Sequence, residues 1–230
     1  MKRLRIDDVG ASTKQFEQYG KKWFYIKKIT VFYWTLANWL FFKRLPPWRA
    51  WGPYGELTAE EWREIITACK DRGIKPIIAV TACWVEKNNK LTPFPEKFPD
   101  EAKFLRGALE RGEIEIANHG LTHCVVGKHL PRLFKSNREW HREFLLSLSP
   151  EEHREHIVKS QEILENFFGR PITILVPPGN IWSLKTAAAL LGTNLTTILC
   201  GRPAVGELGP LPPGVSFILD HDNYVSIHDR

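Results

Sequence analysis

Short β-branched apolar runs alternate along the chain with stretches in which apolar residues recur every three or four positions, a pattern that predicts strands and helices in turn. Thr58-Ala59-Glu60-Glu61 forms a capping box ahead of Trp62, Ile65, Ile66 and Cys69 at helical spacing, and Gly73 is placed to stop that helix. Ile77–Val80 then reads as a strand. Glu101 to Arg111 repeats the helical pattern up to Gly112, and Glu113–Ala117 follows as a strand. In the third copy Ser149 is the cap, Pro150 takes the first helical position and Glu152 reaches back over the cap. Ile157, Ile163, Leu164, Phe167 and Phe168 continue this helix to Gly169. His153 and His156, three apart on its charged side, read as a solvated face. Ile172–Val176, Thr196–Cys200, Val215–Leu219 and Tyr224–His228 read as further strands, and Ser183 caps a short Ala-rich helix. With Leu4–Asp7 at the start, the pattern predicts seven strands in an α/β fold, either a parallel sheet or an incomplete barrel.

A chain of 230 residues with 43% hydrophobic residues can bury a substantial core, and it reads as one domain over 1–230 with an aromatic-rich insertion at about residues 20–55. The formal charge of +6 suits an anionic partner. Cys69, Cys83, Cys124 and Cys200 stand far apart with no paired spacing, as free thiols of a reducing compartment do. The N-terminus turns acidic at Asp7-Asp8 before any signal-peptide core, and the longest apolar run, Ile29 to Phe42, is too short to span a bilayer. The expected location is the cytoplasm.

Reactive groups of parallel α/β folds gather at the carboxyl ends of the strands. Three such ends carry chemistry here. Asp7-Asp8 ends the first strand, His119-Gly120-Leu121-Thr122-His123 follows the strand through Ala117, and His228-Asp229 ends the last. Two imidazoles four residues apart can meet one ion from the same side of a helical turn, and a carboxylate from another strand supplies a third ligand. Three N/O ligands leave positions open for water and substrate, the arrangement of a catalytic metal rather than a structural one. Asp8, His119 and His123 are therefore the candidate ligands of one divalent cation, with zinc the best fit and cobalt, manganese or nickel alternatives.

These residues resemble the polysaccharide deacetylases of the NodB-homology type, carbohydrate esterase family 4. Leu4-Arg5-Ile6-Asp7-Asp8-Val9-Gly10 is similar to the family's TFDDG motif, which implies that Asp7 is the catalytic base and Asp8 a metal ligand. His119-Gly120-Leu121-Thr122-His123 is similar to its H(S/T)xxH motif, in which both His bind metal. Val176-Pro177-Pro178-Gly179-Asn180 falls at the RxPxG motif, and Ser226-Ile227-His228-Asp229 falls at the LxH motif, which implies that His228 is the catalytic acid. The family fold is a distorted seven-stranded (β/α) barrel. The aromatic stretch and the Pro-Pro-Gly-Asn turn also resemble the deacetylase-like branch of lipopolysaccharide O-antigen clusters.

Two departures bear on mechanism. The motif Arg that orients the base is replaced by Leu175, which leaves Arg5 or Arg230 to orient Asp7. The residue before the motif Gly is Pro178, which has no N–H for an oxyanion, so Pro177, Gly179 and Asn180 become the candidate substrate-contacting residues, with the Gly179 N–H or the Asn180 amide as donor. Asp220, Asp222 or Asp229 can hold His228 in its tautomer.

The resemblance implies a deacetylase acting on an acetylated amino sugar, a nucleotide sugar or a lipid-linked saccharide. The alternative is a non-catalytic, metal-containing sugar- or carrier-binding protein of the same fold. Between Trp23 and Trp51 the chain is densely aromatic, with Lys27, Lys28, Lys43, Arg44 and Arg49 interspersed. Such a segment reads as a packed insertion, as a patch resting on an anionic membrane, or as platforms for sugar rings. No nucleic-acid module is recognisable.

Overall fold

The computed structural model describes residues 4–16, 23–26, 29–32, 56–130, 138–206, 209–220 and 224–226. Its centre is a parallel sheet of seven strands: β1 (Arg5–Val9), β4 (Ile77–Val80), β7 (Glu115–Asn118), β8 (Ile174–Leu175), β9 (Thr197–Cys200), β10 (Ser216–Leu219) and β11 (Tyr224–Ser226). They lie in the order β10-β9-β8-β7-β4-β1-β11, all neighbours parallel, so the first and last strands in sequence are adjacent. Two antiparallel hairpins stand apart from it, β2 (Trp23–Ile26) with β3 (Ile29–Phe32), and β5 (Cys83–Val85) with β6 (Leu91–Pro93).

The seven predicted strands are present, several of them shorter than their apolar runs. The helices α1 (Ala59–Asp71), α2 (Phe94–Lys97), α3 (Pro99–Glu110), α4 (Pro150–Phe168) and α5 (Leu184–Ala189) pack against the sheet. Thr58 and Ser149 form the two capping boxes that the sequence predicts, and Gly169 closes α4 in the left-handed conformation. The β5–β6 hairpin was not legible, because three-residue strands ending in Pro93 carry no alternation to read.

Both faces are buried along β1, β4, β7, β8 and β9, as in other parallel sheets, while the edge strand β10 is largely exposed. Ile78, Val80, Ile116, Leu175 and Ile198 pack with Trp62, Leu105, Ile157 and Leu164 of the helices. Ile77, Ala79, Ala117, Ile174, Val176 and Leu199 form a second cluster on the opposite face. That inner face curls on itself. Arg5 of β1 donates from Nη1 to the Leu199 carbonyl of β9 at 3.4 Å, although β4, β7 and β8 intervene in the sheet. In a flat sheet four strand spacings would separate them by about 19 Å, beyond any side chain. The fold is accordingly a curled parallel half-barrel, in agreement with the distorted (β/α) barrel that the resemblance implies. Among the described residues no helix is long and apolar enough to cross a membrane.

Candidate metal centre and active site

Two adjacent residues of a regular strand point to opposite faces, yet Asp7 and Asp8 both carry candidate chemistry. An irregularity in β1 resolves this. Its register with β4 shifts between Ile6 and Val9, and Asp8 takes a left-handed backbone with φ of 64°. Such a bulge re-aims one side chain without ending the strand, and aspartate tolerates the conformation better than most residues. Asp8 turns to the imidazoles while Asp7 stays on the inner face, aligned through Arg5 with Ile77 of β4.

The structure brings Asp8, His119 and His123 together. Nε2 of His119 lies 3.0 Å and Nε2 of His123 2.9 Å from the same Asp8 Oδ1. One donor atom from each of the three residues lies within 4.8 Å of the others. The imidazoles meet through a tight loop, not through the helical turn expected from their spacing, with Gly120 at φ of 80° and His123 at 60°.

The chemistry of this donor set fits a divalent cation. The carbonyl of Val176 sits 2.7 Å from Nδ1 of His119 and can only accept, so Nδ1 carries the proton. With Nδ1 protonated, Nε2 of His119 can face Asp8 Oδ1 in two ways: as a second N–H that donates to it, or as a lone pair aimed at a cation shared with the carboxylate. Nδ1 of His123 is paired with the Thr13 hydroxyl at 2.9 Å, so both ring orientations are fixed from behind. Burial alone would raise the Asp8 pKa, but the charge of His123 and the hydrogen bonds of both imidazoles hold it well below the usual range. Asp8 is a carboxylate at neutral pH.

Asp7 sits beside this cluster, 5% exposed. Arg5, fully buried on the same face of the strand, grips it with Nε to Oδ1 at 2.8 Å and Nη2 to Oδ2 at 2.9 Å. Nη1 of Arg5 also lies 3.7 Å from Asp220 Oδ2. Of the two cations that the sequence leaves open, Arg5 is the one seen to orient Asp7. Leu175 has instead joined the core beneath the helices, opposite the face that carries Asp7. Burial lifts the Asp7 carboxyl above its ordinary value despite the pull of Arg5 and His119.

Pro177 and Pro178 are buried after β8, and Gly179 stands exposed at φ of 63°. The Gly179 N–H makes no hydrogen bond among the described residues. Asn180 Oδ1 accepts from the Gly201 N–H at 3.0 Å, which ties the turn to the end of β9, while its Nδ2 has no partner among the described residues. His228, with Asp222, Asp229 and Arg230, lies outside the described residues, as does most of the aromatic segment.

A second expectation fails. His153 and His156 do not form a solvated face: His153 is 1% exposed and is paired with the Thr186 hydroxyl and the Leu145 carbonyl. His156 pairs through Nδ1 with Glu143 Oε1 at 2.7 Å. Glu143 accepts in turn from the N–H groups of Leu121, Thr122 and His123 at 2.7, 3.1 and 2.8 Å. Asn118 braces the same loop, with Oδ1 accepting from Gly120 N–H and Nδ2 donating to Ser160 and Gln161 of α4. Neither Glu143 nor Asn118 was singled out from sequence. Glu143 sits among charged residues with no periodicity around it, and only its burial gives it away.

Burial alone would lower the pKa of His156, but the hydrogen bond and charge of Glu143 outweigh it and raise it. Glu143 shifts the other way, burial being outweighed by His156 and by the backbone N–H groups. The carboxylate contributes stability above its unfolded pKa and loses it as pH falls through the lowered folded value. The imidazolium contributes fully below its unfolded pKa and loses this as pH rises through the raised folded value. The pair is thus complete between about pH 4.3 and 6.5. The stability difference between wild type and His156→Phe, read from urea midpoints of metal-free protein, should be largest near pH 6 and shrink as pH rises through the raised folded value. A difference that grows with pH would contradict this pairing.

The polysaccharide deacetylase family model matches residues 52–198, and the chain belongs to that family. The match includes His119, His123 and the Pro177–Gly179 turn but not Asp7, Asp8 or His228. Among solved structures the chain is similar to IcaB from Ammonifex degensii, at 14% identity over 69% of this chain and 62% of that one, with a TM-score of 0.44. It is similar to a de-N-acetylase from Aggregatibacter actinomycetemcomitans, at 15% identity over 74% and 65% of the two chains, with a TM-score of 0.43. A CE4 family pseudoenzyme from Bacillus anthracis shares 15% identity over 65% of this chain, with a TM-score of 0.42, and the chain spans 39% of its length. No curated protein matches.

Proposed function

We propose that the chain is a divalent-metal-dependent deacetylase that hydrolyses the acetamido group of an amino sugar, giving acetate and a free amine. The observation that carries this reading is the convergence of Asp8 Oδ1 with Nε2 of His119 and His123, beside the Arg5-held carboxylate of Asp7. Asp8, His119 and His123 hold the cation, with zinc the best match to two imidazoles and one carboxylate. When bound, the cation supplies Lewis acidity to the acyl oxygen and acidifies water.

The chain's own groups do the rest. Asp7 takes the proton of the attacking water, and its raised pKa suits a group that must accept and later release it. The bidentate grip of Arg5 fixes the direction of the accepting oxygen. His228 gives a proton to the departing nitrogen, a role assigned from its motif. The Gly179 N–H and the Asn180 Nδ2, both without a partner among the described residues, are the donors for the oxyanion in place of the N–H that Pro178 lacks.

The net charge of +6 favours a substrate carrying phosphate, such as a nucleotide sugar or a lipid-linked saccharide at an anionic membrane. The replacement of the motif Arg and the loss of a backbone donor favour a second reading, a metal-containing binding protein without turnover.

Acetate release separates the two. Zinc-loaded wild type should liberate acetate from an N-acetylated nucleotide sugar or an N-acetylglucosamine oligomer, and chelation should stop it. Metal-replete protein that binds these compounds and releases no acetate would establish the binding reading instead.

A further inference from the structure

The loop that presents both imidazoles has an uncommon support. With Gly120 at φ of 80° and His123 at 60°, the N–H groups of Leu121, Thr122 and His123 turn inward toward one point. A concavity of successive backbone N–H groups is built for an anion. Glu143 supplies it: Oε1 takes the Leu121 N–H, and Oε2 takes those of Thr122 and His123. The carboxylate is wholly buried, and His156 of α4 completes Oε1 at 2.7 Å. The fit leaves no room for a side chain at position 120, where a Cβ would lie 2.2 Å from Glu143 Oε2.

We propose that Glu143, anchored by His156, is the positioning residue of the metal centre, setting the separation and aim of His119 and His123 through the backbone between them. This rests on the reading of Asp8, His119 and His123 as metal ligands. The physical case is one of alternatives. Without an anion, three buried N–H groups would face one another unsatisfied, and the loop would have to open to reach other acceptors. Opening it moves His123, because His123 N–H is itself one of the three donors. The imidazole of His119 is held independently by Val176, so the loss falls on the relation between the two ligands.

Glu143→Gln tests this with little change of shape. Its amide oxygen still accepts, but its NH₂ donates and meets at least one loop N–H as a mismatch. Co²⁺ is the probe, read by competition with a chromophoric chelator and by its visible absorption bands, which report ligand geometry. The expected result is Co²⁺ affinity about tenfold to a hundredfold weaker, with altered bands and an unchanged far-ultraviolet circular dichroism spectrum. His156→Phe, which keeps the carboxylate but strips its partner, should weaken Co²⁺ about threefold to tenfold and alter the bands in the same sense. It decides the matter if Glu143→Gln does not fold.

Wild-type affinity and bands in the folded variants would overturn the proposal, while His119→Ala, losing Co²⁺ in the same assay, would leave the metal reading standing. Should His119→Ala bind Co²⁺ as wild type does, the metal reading itself fails and this proposal with it.

Discussion

Asp7→Asn should retain its metal and lose its turnover. Asparagine can still accept one hydrogen bond from Arg5 in place of the two that Asp7 takes, so the inner face of β1 keeps much of its packing. It cannot take a proton from water, and removing a general base typically lowers turnover by about a hundredfold or more. Asp8→Asn should behave differently. Both imidazoles face its Oδ1, and replacing the carboxylate by an amide removes the negative charge that a cation needs there. Metal content and acetate release should fall together in Asp8→Asn and separate in Asp7→Asn. Metal lost from Asp7→Asn but kept by Asp8→Asn would exchange the two roles.

Arg5→Met should be among the most destabilising single changes in the protein. The guanidinium is wholly buried and neutralises Asp7, 5% exposed, with Asp220, 7% exposed, at its other edge. Removing one partner of a buried pair leaves uncompensated charge in the interior, at a typical cost of about 3–5 kcal/mol. That is a large share of the roughly 5–15 kcal/mol that holds most domains folded. Arg5→Lys keeps the charge but loses the fork that meets both carboxylate oxygens, so its loss should be smaller. Urea unfolding at neutral pH measures both. An Arg5→Met midpoint equal to that of wild type would mean that the Asp7 carboxyl does not depend on this cation.

These changes act on features that differ in how openly the sequence displays them. The capping boxes at Thr58 and Ser149 are local, spanning four residues, and the helices begin there as expected. The grouping of Asp8 with the His119–His123 pair was legible because all three stand at strand ends, where a parallel sheet gathers its chemistry. The curvature that lets Arg5 reach Leu199 is a property of the whole sheet, so choosing Arg5 over Arg230 required coordinates. The bulge at Asp8 is invisible for a different reason. A register shift depends on the partner strand, and nothing in Asp7-Asp8 alone says which of the two turns aside. Glu143 and His156 were missed or misread because a buried ion pair looks, one residue at a time, like an exposed one.

Crystals grown with zinc and measured on both sides of its absorption edge give the most direct test of the metal centre. The account predicts one anomalous peak at full occupancy, about 2.0–2.2 Å from an Asp8 carboxylate oxygen and from Nε2 of His119 and His123, with at least one further position left to water or acetate. Zinc bound elsewhere, or a clear zinc solution that leaves the Asp8–His119–His123 cluster without a peak, would contradict it.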